Sequence, residues 1–311
     1  MKIIIIGPGI MPIPPKGWGA VEILIWDYKE ILEKLGHSVT IINTPDPNDI
    51  INSVNKLNAD FVHIQYDEFA YLEQYINCKN VAVTSHFGYL DQPEKYSNYI
   101  NVFNTFLKLK KAKIFCLSPS IKQIYIKNGV NSNKLHVVPN GVRCDLFNFN
   151  SECEFKEKSI YLAKIDYRKR QFLFHDIKNL YFAGNIADNR YNGKNYLGEL
   201  TKDSLYKNLT KFSNLVLLSD GEAHPLVCLE AMSAGLGLVI SEWASPNLNT
   251  DLPFIDVIPE NKINDINFIE KIIVENRLKS NTMRKEIREY VINNFSWENI
   301  IKNCYLPKIM I

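Results

Sequence analysis

Eleven short runs in this chain are apolar almost without a break, and longer helix-forming stretches separate them. The first six are KIIIIG (2–7), HSVTIIN (37–43), DFVHIQ (60–65), NVAVTSH (80–86), KIFCLS (113–118) and KLHVVP (134–139). The other five are SIYLAKI (159–165), NLYFAG (179–184), NLVLLS (214–219), LGLVIS (236–241) and FIDVIP (254–259). A strand with one wet face alternates apolar and polar residues. A strand buried on both faces, as in a parallel sheet, reads as a continuous run. Parallel neighbours need a crossover, so strand–helix alternation points to right-handed βαβ units and an α/β, doubly wound architecture. The stretch 20–36 has a helical pattern, with apolar positions at Ile23, Trp26, Ile31 and Leu35 and a terminating Gly36.

The length of 311 residues suits two domains rather than one core. The aperiodic, charged segment 149–159 reads as the linker, giving domains 1–150 and 151–295, with a closing helix in 296–311 whose N-cap is Ser296. Stretch 265–295 reads as one charged amphipathic helix. Open parallel sheets bind ligands at the carboxyl ends of their strands, so two Rossmann-like domains are expected to face each other across a ligand cleft. Lys plus Arg is 36 against 34 for Asp plus Glu; a net charge of +2 argues against nucleic acid as a partner. The six cysteines show no CxxC pair and read as buried free thiols of a reducing compartment. The N-terminus lacks signal-peptide form and no run is long enough to span a membrane, so a cytoplasmic protein without a transmembrane segment is expected. No Asp-x-Asp ends a strand, so no metal is expected.

Two loops carry candidate chemistry. The first, GPGIMPIPPKGWGAVE (7–22), offers Gly7, Gly9, Gly17 and Gly19, which let backbone approach a ligand or serve a tight structural turn equally well. The second lies in LVLLSDGEAHPLVCLEAMSAGLGLVISE (215–242). Glu222 falls at a strand's carboxyl end and Glu230 two turns into the next helix. Between them, His224, Pro225, Leu226 and Val227 mark a helix N-terminus suited to a diphosphate. The two carboxylates suit sugar and ribose hydroxyls; pairing with lysines or facing solvent is the plainer alternative. Gly184, which closes run 179–184, joins the candidate donor-binding residues.

The stretch EAHPLVCLEAMSAGLGLVIS resembles the E-x7-E signature of retaining GT-B glycosyltransferases of family 4. Further motifs follow in order: GWGAVE resembles the N-terminal glycine loop of that family, with Gly19 and Glu22 matching. VVPNGVRCDLF (137–147) resembles its V-I-P-N-G-V-D-x-x-x-F segment, with Asn140, Gly141, Val142 and Phe147 matching, and YLAKIDYRKR (161–170) and SWENI (296–300) resemble its diphosphate and closing segments. His86, after VTSHFG (83–88), stands where the family often has a sugar-contacting histidine. The sequence departs from the family at Lys164 (usually Arg), Ala163 (usually Gly), His224-Pro225 (usually Phe-Gly) and Arg143 (usually Asp). About a dozen residues between runs 159–165 and 179–184 also leave little room for a crossover helix.

The resemblance implies a sugar-nucleotide-dependent transferase with an acceptor-binding first domain, a donor-binding second domain and a last helix crossing back to the first. It implies that Lys169 and Lys164 hold the diphosphate, Glu230 the ribose and Glu222 the donor sugar, with His86 touching sugar. UDP or GDP is the favoured carrier, with a glycan or small-molecule acceptor and retention of anomeric configuration. Peripheral membrane contact and oligomeric state stay open. So do two other readings: a sugar-nucleotide epimerase on the same fold and a non-catalytic sugar-nucleotide binder. KLKKAK (108–113) reads as a solvated helix end, and His136 and His175 as structural.

Overall fold

The computed structural model describes residues 1–15 and 19–310. Internal contacts divide the chain into two compact units, Met1–Gly141 with Trp297–Ile311, and Val142–Ser296. The first unit holds six strands: β1 (Lys2–Ile6), β2 (Ser38–Ile42), β3 (Phe61–Ile64), β4 (Val81–Thr84), β5 (Lys113–Cys116) and β6 (Leu135–Val137). Every pairing is parallel, in the order β2-β1-β3-β4-β5-β6. All residues of β3 and β4 are buried, as their unbroken apolar runs require, whereas edge strand β2 exposes Ser38 and Thr40.

The second unit holds β7 (Phe155–Leu162), β8 (Leu180–Ala183), β9 (Phe212–Leu217), β10 (Gly237–Ser241) and β11 (Ile255–Ile258). They too are parallel, in the order β11-β10-β9-β7-β8. The two sheets share one winding. The chain lays its second strand on one side of the first and returns to place the third on the other. The third strand therefore lies beside the first, and a crevice opens above that junction.

Three local expectations shift. Segment 149–159 runs into β7. Its Phe155 pairs with Phe212 before the register slips ahead of Ser159, and this irregular, solvent-facing start hides the strand's periodicity. The chain leaves the first unit earlier, at Gly141. Helix Ala20–Lys34 buries Leu24, Ile25, Tyr28, Ile31 and Leu32, so its inner face is turned away from Ile23 and Trp26. This helix is apolar over much of its circumference, and only packing decides which face goes inward. Gly36 follows the cap residue Leu35 in a left-handed conformation, with His37 N–H returning to the Leu32 carbonyl. Stretch 265–295 is two helices, Ile266–Thr282 and Arg284–Phe295, meeting at Met283. The β7–β8 crossover keeps a single turn of helix, Gln171–Phe174.

Trp297 docks the last segment into the first unit. It is 1% exposed, donates its indole N–H to Asp27 at 2.9 Å and meets Tyr28 edge-on at 4.6 Å. Gly141 lies against its ring, where a Cβ would approach to 2.5 Å. The segment then passes through a π-helical stretch, Ile300–Tyr305, before Leu306–Ile309. Pro307 lacks the N–H that a regular α-helix would use there. Among the described residues, no helix is long and apolar enough to cross a membrane, and all six cysteines are free. Trp297→Ala should cost about 3–5 kcal/mol in urea unfolding. Trp297→Phe, which keeps most of the packing, should cost markedly less.

Candidate active site

In the second unit, the loops after β7 and β9 emerge at the strand-order junction and are tied together. Asp220 N–H donates to the Arg168 carbonyl at 2.9 Å. Tyr161, buried in β7, accepts from Leu218 N–H at 2.9 Å and donates its hydroxyl to the Lys169 carbonyl. Asp166 shapes the first loop. Its Oδ1 accepts the N–H groups of Arg168 and Lys169, each at 3.1 Å, in a side-chain-closed turn. Arg170 then takes a left-handed backbone conformation and forks onto Glu260 at 2.6 and 3.1 Å.

This scaffold brings Lys169 and Glu222 into a direct ion pair, each side chain only 15% exposed. Glu230, on helix Leu226–Ser233, pairs with Lys202 at 2.5 Å. Both glutamates and Lys169 lie within electrostatic reach of the Cys228 thiol, which is sealed beneath them; burial first, then the two carboxylates, pushes that thiol's pKa well up. Lys164 is exposed, and its carbonyl accepts from the Gln171 amide at 3.0 Å.

The helix start differs from the expected row of four amides. Pro225 is the cap residue and has no N–H, so Leu226 and Val227 supply the first free amides, while Cys228 N–H turns back to the Pro225 carbonyl at 3.1 Å. His224 packs against Phe295 at 5.6 Å, and burial pulls its pKa down to about 3, so it contributes shape rather than charge. At Gly184 a Cβ would stand 2.0 Å from the Ala163 carbonyl oxygen, and the Gly184 N–H already donates to Gly198 at 3.0 Å. Its glycine requirement comes from the close approach of the β7 and β8 ends, not from a ligand.

The corresponding junction of the first unit lies between β1 and β3. Gly17 lies outside the described residues. Gly19 caps helix Ala20–Lys34, and Glu22 is buried in its first turn. Asn43 at the end of β2 organises the preceding turn: its Oδ1 accepts Gly9 N–H at 2.8 Å and its amide donates to Met11 O at 2.8 Å. A Cβ on Gly9 would meet Pro45 N at 2.4 Å, so this glycine too answers to the chain's own backbone.

His86 follows β4, and its Nε2 lies 2.8 Å from Gln65 Oε1. The Gln65 amide nitrogen reaches His63 Nδ1 at 3.3 Å, and His63 Nε2 meets Thr84 Oγ1 at 2.8 Å. In the tautomers matching this network, His86 donates through Nε2 and leaves Nδ1 as an acceptor. Burial pulls His86 down to about 4, so it is neutral near pH 7. Asp67, just beyond β3, holds the loop: it accepts His86 N–H at 3.1 Å, Tyr99 O–H at 2.9 Å and Ser85 O–H at 3.3 Å. Tyr99 in turn stacks on Phe87 at 3.8 Å.

Reading the sequence singled out Lys164, Lys169, Glu222, Glu230 and His86 but missed Tyr161, Asp166, Arg170, Lys202, Gln65 and Asp67. Two of these had a local signal. Asp166 opens the turn that ends in Lys169, and Gln65 follows a strand's last residue, an edge where ligand-facing side chains gather. Among the described residues, no group of three or more His, Cys, Asp or Glu is placed to hold a metal ion.

No family model matches the sequence, and no curated protein matches it. Solved structures do. Sucrose-phosphate synthase from Thermosynechococcus elongatus is similar at TM-score 0.74 and 16% identity, with 96% of each chain covered. HepE of Anabaena, solved in complex with UDP-glucose, is similar at TM-score 0.73 and 13% identity, with 97% of each chain covered. The lipopolysaccharide outer core galactosyltransferase WaaB is similar at TM-score 0.69 and 15% identity, over 100% of this chain and 99% of that one. With the two parallel sheets described above, these likenesses define a GT-B, Rossmann-like α/β fold.

Desolvation raises Asp67 to about 6, above its ordinary range, while its hydrogen bonds from Tyr99, His86 and Ser85 act the other way. A carboxyl raised on folding is best tolerated when protonated, so its cost is absent below about pH 4 and complete above about pH 6. Relative to its own value at pH 4, Asp67→Asn should therefore gain about 3 kcal/mol over the wild type by pH 7.5, while any loss from replacing a carboxylate oxygen by an amide weighs on both ends of that range. Thermal unfolding across that range checks this.

Proposed function

We propose that the protein is a glycosyltransferase that moves a sugar from a nucleoside diphosphate sugar to a hydroxyl acceptor with retention of configuration. The observation that carries this reading is the meeting of Lys169 with Glu222, beside Glu230 and the amides of Leu226 and Val227, at the junction of β7 and β9. That junction combines what a sugar nucleotide needs: cations and free amides for the diphosphate, and carboxylates for vicinal hydroxyls.

In this reading the second unit binds the donor. Lys169, the exposed Lys164 and the two helix amides take the diphosphate, and the helix dipole adds to their field. Glu230 accepts the ribose hydroxyls, with Lys202 orienting its carboxylate. Glu222 accepts hydroxyls of the transferred sugar. As it does so, Lys169 is freed to follow the departing diphosphate. Bond cleavage leaves negative charge on the diphosphate and oxocarbenium character on the sugar, so stabilising the leaving group is the main electrostatic demand. Neither glutamate acts as a covalent nucleophile; the acceptor attacks from the face the diphosphate leaves and passes its hydroxyl proton to the departing phosphate oxygen, which preserves configuration. No metal is needed, because lysines and amides neutralise the phosphates.

The first unit supplies acceptor and sugar contacts. His86, neutral and held by Gln65, accepts a hydroxyl through Nδ1. UDP is the first carrier to test, followed by GDP, because HepE was solved with UDP and with UDP-glucose.

Thermal unfolding with UDP, GDP, ADP, TDP and CDP tests the donor site. One diphosphate, at about 100 times its dissociation constant, should add roughly 2.7 kcal/mol, and Lys169→Ala should abolish that gain. If none stabilises the wild-type chain, the donor reading fails. If one binds but its sugar conjugate is only isomerised, or never turned over with any acceptor, transfer fails and an epimerase or a binding protein takes its place.

A further inference from the structure

At the β6 edge of the first unit's sheet, three lysines gather around one imidazole. Lys113 opens β5, Lys122 lies on helix Pro119–Lys127 and Lys308 on the closing helix Leu306–Ile309. His136 sits on β6 opposite Phe115, two residues along β5 from Lys113 and therefore on the same face. All four side chains are half-buried. Lys113 Nζ donates to the Lys308 carbonyl at 2.5 Å, which draws the two lysines together.

None of the three ammonium groups has a carboxylate partner among the described residues. The thiols facing them, Cys116 and Cys304, are pushed up by burial and stay uncharged. His136 Nε2 is buried and has no hydrogen-bond partner. Burial, then Lys113, Lys308 and Lys122, pulls this imidazole down to about 4. Three like charges and an unpartnered ring nitrogen each cost free energy; the Lys308 carbonyl answers one donor of Lys113, and no carboxylate among the described residues balances the charges. Among the neighbouring lysines, Lys111 and Lys134 also cap backbone carbonyls, and the backbone of 110–112 is tied to Glu73, beyond the end of helix Ile100–Leu107. KLKKAK starts at the cap residue Lys108 of helix Ile100–Leu107, with Lys108, Lys110 and Lys111 exposed, and continues as the loop into β5.

We propose that Lys113, Lys122, Lys308 and His136 Nε2 form a binding site for one phosphate-class anion, supplied either as a soluble phosphate ester or as the headgroup of an anionic phospholipid. The three ammonium groups supply charge from three separate elements, and Nε2, carrying the proton of the neutral ring, supplies a directed donor. The site belongs to the first unit and is independent of the donor reading, since it uses no residue of the second unit.

Imidazole NMR of the full chain tests this, with His136 assigned from the spectrum of His136→Gln. Inorganic phosphate is titrated first, then vesicles of phosphatidylcholine alone and of phosphatidylcholine with phosphatidylglycerol. A soluble ligand predicts a saturable shift of His136 with phosphate and a rise in its titration midpoint. A lipid ligand predicts that shift only with the phosphatidylglycerol vesicles. In either case Lys113→Met with Lys308→Met should weaken the response at least about tenfold, as expected for losing two charged hydrogen-bond donors. Lys122→Met, on helix Pro119–Lys127, gives a second readout if the double variant folds poorly. The proposal is overturned if neither phosphate nor anionic vesicles move His136 in the wild-type chain, or if the lysine variants respond as the wild type does.

Discussion

The placement of β9 beside β7, with β8 outside, is the constraint on which the second unit's chemistry depends. A chain that returns past its first strand leaves two loops side by side at the carboxyl ends, with no strand connection covering the gap. Here the loops are joined by backbone and hydroxyl bonds through Asp220, Arg168, Tyr161 and Lys169. The ion pair of Lys169 and Glu222 is therefore a product of topology. Fifty-odd residues separate the two in sequence, and the parallel register alone brings them together.

The two units solve the problem of polar groups near an apolar sheet in different ways. In the second unit each carboxylate of the site has an ammonium partner, Lys169 for Glu222 and Lys202 for Glu230, so charge is kept but balanced. In the first unit burial removes the charge of His63 and His86, pulled down to about 3 and about 4, and hydrogen bonds through Gln65 and Thr84 orient the neutral rings. In the proposed reading, the balanced charge meets phosphate and the neutral, oriented imidazole meets hydroxyls.

Glycines show how local pattern and tertiary cause separate. Gly9 and Gly184 occur in loops at strand ends, where a ligand's close approach is the usual suggestion. In both, the close neighbour is the chain itself, Thr44–Pro45 for one and Ala163 for the other. Gly235 follows the same logic at the end of helix Leu226–Ser233, where a left-handed residue lets Leu236 N–H return to Ala231.

The central strands were legible because burial on both faces forces a continuous apolar run, a signal that needs no partner to be read; edge strand β2 and the solvent-facing start of β7 carry it only in part. Glu222 and Glu230 stood out by their spacing across a strand end and the following helix, whereas Lys169, seven residues past β7, stood out only through the resemblance to a family motif. Strand order was not legible, since every βαβ unit looks alike in sequence and only packing chooses the side on which the chain returns. Nor was the inner face of helix Ala20–Lys34, whose apolar residues surround most of its axis. Lys202, Gln65, Tyr161 and Asp67 acquire their roles only from neighbours remote in sequence. Amino-acid order thus determined which segments are strands and helices and which residue types stand at their ends. The tertiary structure decided which of those ends meet, because charge pairing and hydrogen bonding act over a few ångströms of space.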